Sequence, residues 1–279
     1  MSLLPGVPIC LVAYGLITLI YQLSVAVVAR RFGVVVELVS VGFGPRVWEF
    51  KWLEFNWCFS LIPLGGYTKM QGVDELRHPT SGSFLLLSPL RRLCVILAGP
   101  FSNILLGGLL VLPAAFFPGG GLIVDPQGEH PVIPSVVPSL QYHATFRPES
   151  VPSLLNLVQE TITEYSLRLL GWRSLDGWGG FVAWCVTAAA ILKASFLTWL
   201  TWLGLLALSL GFINLVPIPP LVGGNVVMLA WEVCFGKLSE KAESRLSLFG
   251  ALIALFLMAR LFWADWVWLG RWYDQGMPC

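Results

Sequence analysis

Residues 5–33 read PGVPICLVAYGLITLIYQLSVAVVARRFG. The run from Pro5 to Ala29 carries no charge and is long enough to cross a hydrocarbon core about 30 Å thick. It ends at Arg30-Arg31. A secretory leader has its charges before the apolar run and is shorter. The stretch therefore reads as a transmembrane helix with its N-terminus outside. Tyr21, Gln22 and Ser24 lie within about one turn of each other near its cytoplasmic end.

Three further apolar regions follow. The second run begins at about Leu93, after Arg91-Arg92, and ends near Phe117. Pro118 and Gly119-Gly120-Gly121 then stop it. The third region, from about Trp178 to Val216, is too long for one span and holds Lys193. Its half from about Phe196 to Asn214 suffices for a span. The part before Lys193, about 179–192, suits an interfacial or re-entrant helix, with an extra span as the alternative. The last run is Leu246 to about Leu269, with Arg260 inside it.

Composition agrees. Hydrophobic residues make up 56% of the 279 and charged residues 12%, about half the usual charged share. Mean hydropathy is +0.76. The 13 Trp and 17 Phe suit aromatic belts at a bilayer interface. A disordered regulator is excluded, because such chains are polar and charged. The net charge of +1, with no basic block, argues against nucleic acid as a partner. The six cysteines are isolated and read mostly as buried apolar thiols, not as a disulfide framework.

Arg30, Arg31, Arg46, Lys51, Lys69, Arg77, Arg91 and Arg92 lie between the first two spans. Lys237, Lys241 and Arg245 lie between the last two. Both loops are thus expected to be cytoplasmic, and four spans then put both termini outside. The first loop contains three stretches that read as short strands: Val34 to Val41, Arg46 to Lys51, and Phe55 to Leu61. Gly42-Phe43-Gly44-Pro45 separates the first two, and Pro63-Leu64-Gly65-Gly66 ends the third. Leu154 to Gly171 has helical spacing, after a proline-rich stretch from Pro131 to Pro152.

The fold class expected is a polytopic α-helical membrane protein with about four transmembrane helices and a small membrane-associated β-sheet. Residues 1–117 hold the first two helices and the β-loop at about 32–70. Residues 118–177 form a short extracytoplasmic segment. Residues 178–279 hold an interfacial helix and the last two spans.

Several strings together resemble the site-2 family of intramembrane zinc metalloproteases. They are Val28-Ala29-Arg30-Arg31-Phe32-Gly33-Val34, Val41-Gly42-Phe43-Gly44-Pro45-Arg46, and Ile62-Pro63-Leu64-Gly65-Gly66-Tyr67-Thr68-Lys69-Met70. Leu97-Ala98-Gly99-Pro100-Phe101-Ser102-Asn103 resembles the start of the family's second helix. Asn214-Leu215-Val216-Pro217-Ile218-Pro219-Pro220-Leu221 resembles its third-helix motif. The resemblance covers nearly the whole chain except about residues 118 to 155. It implies a bacterial cytoplasmic-membrane protein of site-2-protease-like core.

The family's chemistry uses H-E-x-x-H on the first helix and an Asp after the third-helix motif. Two His one turn apart hold zinc, and the Glu activates its water. In this sequence the matching five residues are Tyr21-Gln22-Leu23-Ser24-Val25, and Val222 stands at the Asp position, followed by Gly223-Gly224. Val25 and Val222 offer no lone pair, and Gln22 cannot accept a proton as Glu does. His78, His130 and His143, the three histidines, all read as loop residues. The family often inserts a PDZ domain before its third helix, but Pro118 to Gly177 is too short for one.

The expectation from these residues is therefore a non-enzyme with no metal and no cofactor. It is a pseudoprotease that binds membrane proteins or transmembrane segments as scaffold or regulator. An accessory structural subunit of a larger membrane complex is one alternative, and an intramembrane metalloprotease with an atypical site is another. The client-binding candidates are Pro63, Gly65, Gly66, Tyr67, Asn103, Asn214, Pro217 and Pro219. The backbone at Pro63, Gly65 and Gly66 is either free to pair with a visiting strand or folded in a tight turn closing the sheet. Either Val25 and Val222 pack where the metal would sit and fill the pocket, or Tyr21, Gln22, Asn103, Asn214 and Asn225 keep a polar cavity whose groups bond one another or catch an unwound client helix.

Overall fold

The computed structural model describes residues 6–52, 54–72, 81–116, 185, 196–219, 221–236 and 238–274. Helix α1 (Gly6–Arg31) leads into strands β1 (Val36–Trp52) and β2 (Phe55–Met70). Helices α2 (Pro89–Phe116), α3 (Phe196–Asn214), α4 (Val222–Phe235) and α5 (Glu240–Asp274) follow. The segments at 118–177 and about 179–192, apart from Cys185, and the histidines at 78, 130 and 143 lie outside the described residues.

Helix α1 forms over the apolar run and ends at Arg31, where two arginines suit the negative helix C-terminus. Helix α2 starts four residues earlier than its apolar run, because Pro89 fits the first helical turn, where its missing N–H is not needed. Helix α3 occupies the half-region expected to span. Among the described residues three stretches are long and apolar enough to cross a membrane: Pro8–Arg31, Pro89–Leu112 and Lys241–Val267. The expected third span counts instead among the shorter apolar stretches, Trp199–Asn214. The chain is an integral membrane protein. Leu105, Leu109 and Leu112 on α2, and Leu252, Leu255, Phe256, Phe262 and Trp263 on α5, all face outward. Such surfaces are stable against lipid, not against water.

The three short strands expected in the loop are two long, bent ones. Val39 pairs with both Trp57 and Thr68, Ser40 with Cys58 and Tyr67, and Val41 with Phe59 and Gly66. The second half of β1 pairs back on the first half of β2, from Arg46 opposite Ser60 to Trp52 opposite Phe55. The layer therefore runs, in order, through 66–70, 36–41, 57–59 and 46–52. Gly42 and Gly44, at φ +98° and +87°, let the strand bulge and re-aim without leaving the sheet. The stretch after Pro63 is not a terminating turn. It continues as strand, and Gly66–Met70 forms an edge of the layer.

The described residues fall into two compact units. One comprises Val12–Leu105 and Leu210–Ala251. Its core joins the end of α1 to the sheet: Ala26, Ala29, Val34, Val36, Val39, Val41, Phe55 and Trp57, with Val95 of α2. Gly211 of α3 lets that helix approach Pro100 and Ile104 of α2. The other unit comprises Met1–Leu11, Leu106–Ser209 and Leu252–Cys279. In it Gly107 of α2 and Gly204 of α3 meet backbone to backbone, the small-residue contact that membrane helices use in place of a hydrophobic drive. Cys10, Cys58 and Cys185 are buried thiols, as expected, whereas Cys94 and Cys234 are exposed.

Candidate functional site

All the singled-out residues belong to the unit holding Val12–Leu105 and Leu210–Ala251. Successive turns of α1 bring Thr18, Gln22 and Val25 onto one face. The sheet covers that face. Thr18 and Gln22 are buried, at 7% and 6% exposure. The Thr68 hydroxyl donates to Gln22 Oε1 at 2.8 Å and lies 3.4 Å from the Gln22 carbonyl. Gly66 sits two residues before Thr68, on the same face of the strand. A Cβ there would strike the Ser40 carbonyl and press on the Thr18 methyl at 3.0 Å and Gln22 Cγ at 3.3 Å. Only glycine allows the strand so close. Val25 packs against the apolar core.

Tyr21 points elsewhere. Its ring lies on Gly99 of α2, where any Cβ would collide with it. One turn further along α2, Asn103 is 2% exposed, and its Oδ1 has no hydrogen-bond partner among the described residues. A buried acceptor left unpaired is costly in a bilayer, so Asn103 is a ready seat for a donor such as water or a peptide N–H. Asn214 differs: its Nδ2 donates back to the Leu210 carbonyl at 2.8 Å, inside α3.

After Asn214 the chain makes a chain of short turns. Leu215 and Val216 donate to Phe212 and Ile213, Ile218 to Val216, and Leu221 to Ile218. Pro217 is exposed there and Pro219 is buried. Val222 opens α4, half-buried. Gly223 and Gly224 carry the first turn of α4 against the Leu215, Val216 and Pro219 backbone, and Gly250 of α5 meets Pro219 from another side. The turn is thus wedged between two helices at positions where only glycine fits.

At the start of α2, Arg92 forms a two-pronged ion pair with Glu232 of α4, at 2.8 and 3.0 Å. Both side chains are largely buried, at 10% and 23% exposure. This geometry is the strong kind of charge-assisted bond. On the outward side of the edge strand, Lys69 pairs with Glu37 at 2.9 Å, and Tyr67 is exposed and stacks near Phe43. The Arg46 guanidinium, held by Glu49 at 2.9 Å, is pushed further above its ordinary pKa by that hydrogen bond.

The client-binding candidates do not form one cluster of contacts. Gly66 meets Gln22, Pro219 meets Gly224 and Gly250, and Gly65 meets the Phe43 ring. Thr18, Thr68, Arg92 and Glu232 were not singled out from sequence. Thr68 carried one signal, a polar residue on the inward face of an otherwise apolar strand. The Arg92–Glu232 pair carried none, since 140 positions separate the two.

A family model described as peptidase family M50 matches residues 10–257. A predicted zinc metalloprotease of Rickettsia conorii is 23% identical over 89% of this chain and 94% of its own length. A predicted zinc metalloprotease of Campylobacter jejuni is 36% identical over 33% of this chain and 26% of its own. Protease RseP of Yersinia pestis is 37% identical over 38% of this chain and 24% of its own. The chain thus matches only about a quarter of the length of the last two relatives.

These relatives overturn the expectation of a non-enzymatic pseudoprotease scaffold. They point to a peptidase. The four substituted positions read as loss of activity, but the family model matches residues 10–257 across all of them. The zinc that the relatives' names imply does not fit those four positions. Gln22 Oε1 is engaged by Thr68, the Tyr21 ring packs on Gly99, and Val25 and Val222 have no donor atoms. Among the described residues no three His, Cys, Asp or Glu side chains gather in a group that could hold a metal.

Proposed function

The chain belongs to peptidase family M50, and on that premise we propose that it is an intramembrane peptidase with an atypical site. It takes membrane-held polypeptide and cuts it within or beside the bilayer. The match over residues 10–257 carries this reading. Its departure from the family is the loss of the zinc motif at Tyr21, Gln22, Val25 and Val222, so no step is assigned to these four side chains. The partners are transmembrane segments of other proteins and the lipid around them.

In this reading the chain has four spans, α1, α2, α3 and α5, with both termini outside the bacterial cytoplasmic membrane. The sheet and α4 lie toward the cytoplasm, following the arginines and lysines of the two loops.

The seat for substrate is built from the client-binding candidates. The edge strand, with Pro63, Gly65, Gly66 and Tyr67, offers backbone groups along which an extended segment can pair. A helix must unwind before its peptide bonds can be reached, and backbone groups freed in a bilayer need new partners. The edge strand supplies them, and Asn103 Oδ1 supplies one more acceptor. In this proposal Asn214, Pro217 and Pro219 contact the substrate separately, where α3 ends.

The test is cleavage. The purified chain in liposomes is given a single-span protein with a reporter at each end. Two fragments parted inside or beside the apolar segment support the reading, and an intact substrate contradicts it.

A further inference from the structure

Gln22 stands where the family's motif carries its water-activating glutamate, and the structure gives it a different task. We infer that Gln22 is a positioning residue: with Thr68 it clamps the edge strand Gly66–Met70 onto α1, and this position holds no zinc. What the clamp positions rests on the peptidase reading above; the clamp itself does not.

Three observations carry it. The first is the hydrogen bond itself, Thr68 Oγ1 to Gln22 Oε1 at 2.8 Å, between a half-buried threonine and a buried glutamine. An amide oxygen already accepting this bond does not act as a base, and an amide has no acidic proton to give. The second is the missing side chain at Gly66, which lets the strand rest on Thr18 and Gln22. The third is alternation along the strand. Gly66, Thr68 and Met70 turn inward, and Met70 reaches the core that Val25 also borders. Tyr67 and Lys69 turn outward and are exposed.

The clamp acts on the face of the strand that meets α1. An edge strand is otherwise free to slip by a residue, which would swap its inward and outward side chains. The bond at Thr68, together with the close packing at Gly66, favours the register in which these residues face α1, and hence sets which backbone groups line the edge. A carboxylate at position 22 would make the same bond while carrying an unpaired charge in a bilayer. The amide keeps the bond and omits the charge.

The experiment uses the full chain in liposomes, as Thr68→Val, Thr68→Ser, Gln22→Met and the unaltered protein. Hydrogen exchange of the backbone over Gly66–Met70 is read beside metal content after incubation with zinc and removal of the excess. The expected result is exchange about fivefold faster in Thr68→Val and in Gln22→Met, the effect of one hydrogen bond. Thr68→Ser, which keeps the hydroxyl, stays near the unaltered rate. Zinc stays well below one per chain in all four, and any cleavage resists a zinc chelator. Unchanged exchange in both Thr68→Val and Gln22→Met overturns the clamp. One zinc per chain, lost in Gln22→Met, overturns it as well. An unaltered protein that cuts nothing contradicts the peptidase reading and leaves exchange and metal content to decide the clamp.

Discussion

The Thr68 hydroxyl and the Gln22 side-chain carbonyl are hydrogen-bonded at 2.8 Å across 46 positions of sequence. The bond ties a strand of the sheet to a membrane helix at the centre of the candidate site. Gln22→Ala removes the 2.8 Å acceptor, leaves the hydroxyl only the Gln22 backbone carbonyl at 3.4 Å, and should cost about 1 kcal/mol of stability or somewhat more. Thermal unfolding in detergent measures it. The shape-matched double change Gln22→Met with Thr68→Val removes both partners and should cost less than the sum of the singles. Additive losses would contradict the pairing.

The glycines separate into two kinds. Gly223 and Gly250 face backbone of the Leu215–Pro219 turn, whereas Gly15 has nothing within 4 Å of a Cβ placed there. Alanine at Gly250 or Gly223 should cost about 3 kcal/mol or more through forced displacement of the turn. Alanine at Gly15 should be neutral or stabilising by up to about 1 kcal/mol, because alanine favours helix. Unfolding midpoints of the three variants check the order, and equal effects would contradict the packing described.

The Arg92–Glu232 pair fixes α4 to the start of α2. Removing one partner strands the other charge in a largely buried place. Glu232→Ala should therefore lower stability by about 3 kcal/mol, near the low end for a broken buried pair because both side chains keep some exposure. Arg92→Met with Glu232→Leu should recover much of that loss, since an apolar pair asks for no charge to be buried. Midpoints in detergent decide it, and a double change no better than the single would contradict it.

Much of the helical frame was legible in the sequence. Arg30-Arg31 marks the end of α1, and Asn214 before two spaced prolines marks the end of α3, because charges and prolines act locally. The sheet was legible only in part. Gly42 to Pro45 reads as a break, but glycines at positive φ turned it into a bulge. The stretch after Pro63 reads as a turn, but pairing with Val36–Val41 drew it into the sheet, and pairing over thirty residues has no local signature. Helix α4 is masked in the sequence, since Gly223 and Gly224 at its start weaken the helical pattern and are there for close packing. Within the site, the altered residues at 21, 22, 25 and 222 could be listed from the sequence. The bond that gives Gln22 its present role depends on a partner that only the folded sheet supplies. Those altered positions read by themselves as loss of function, and the relatives contradict that reading.

The most direct measurement is cleavage of a doubly tagged single-span protein by the purified chain in liposomes, with the cut located by mass spectrometry. The account predicts two fragments whose new ends lie in or beside the apolar segment. A substrate that remains whole, from a preparation whose unfolding shows it to be folded, would contradict the claim that the chain is a peptidase.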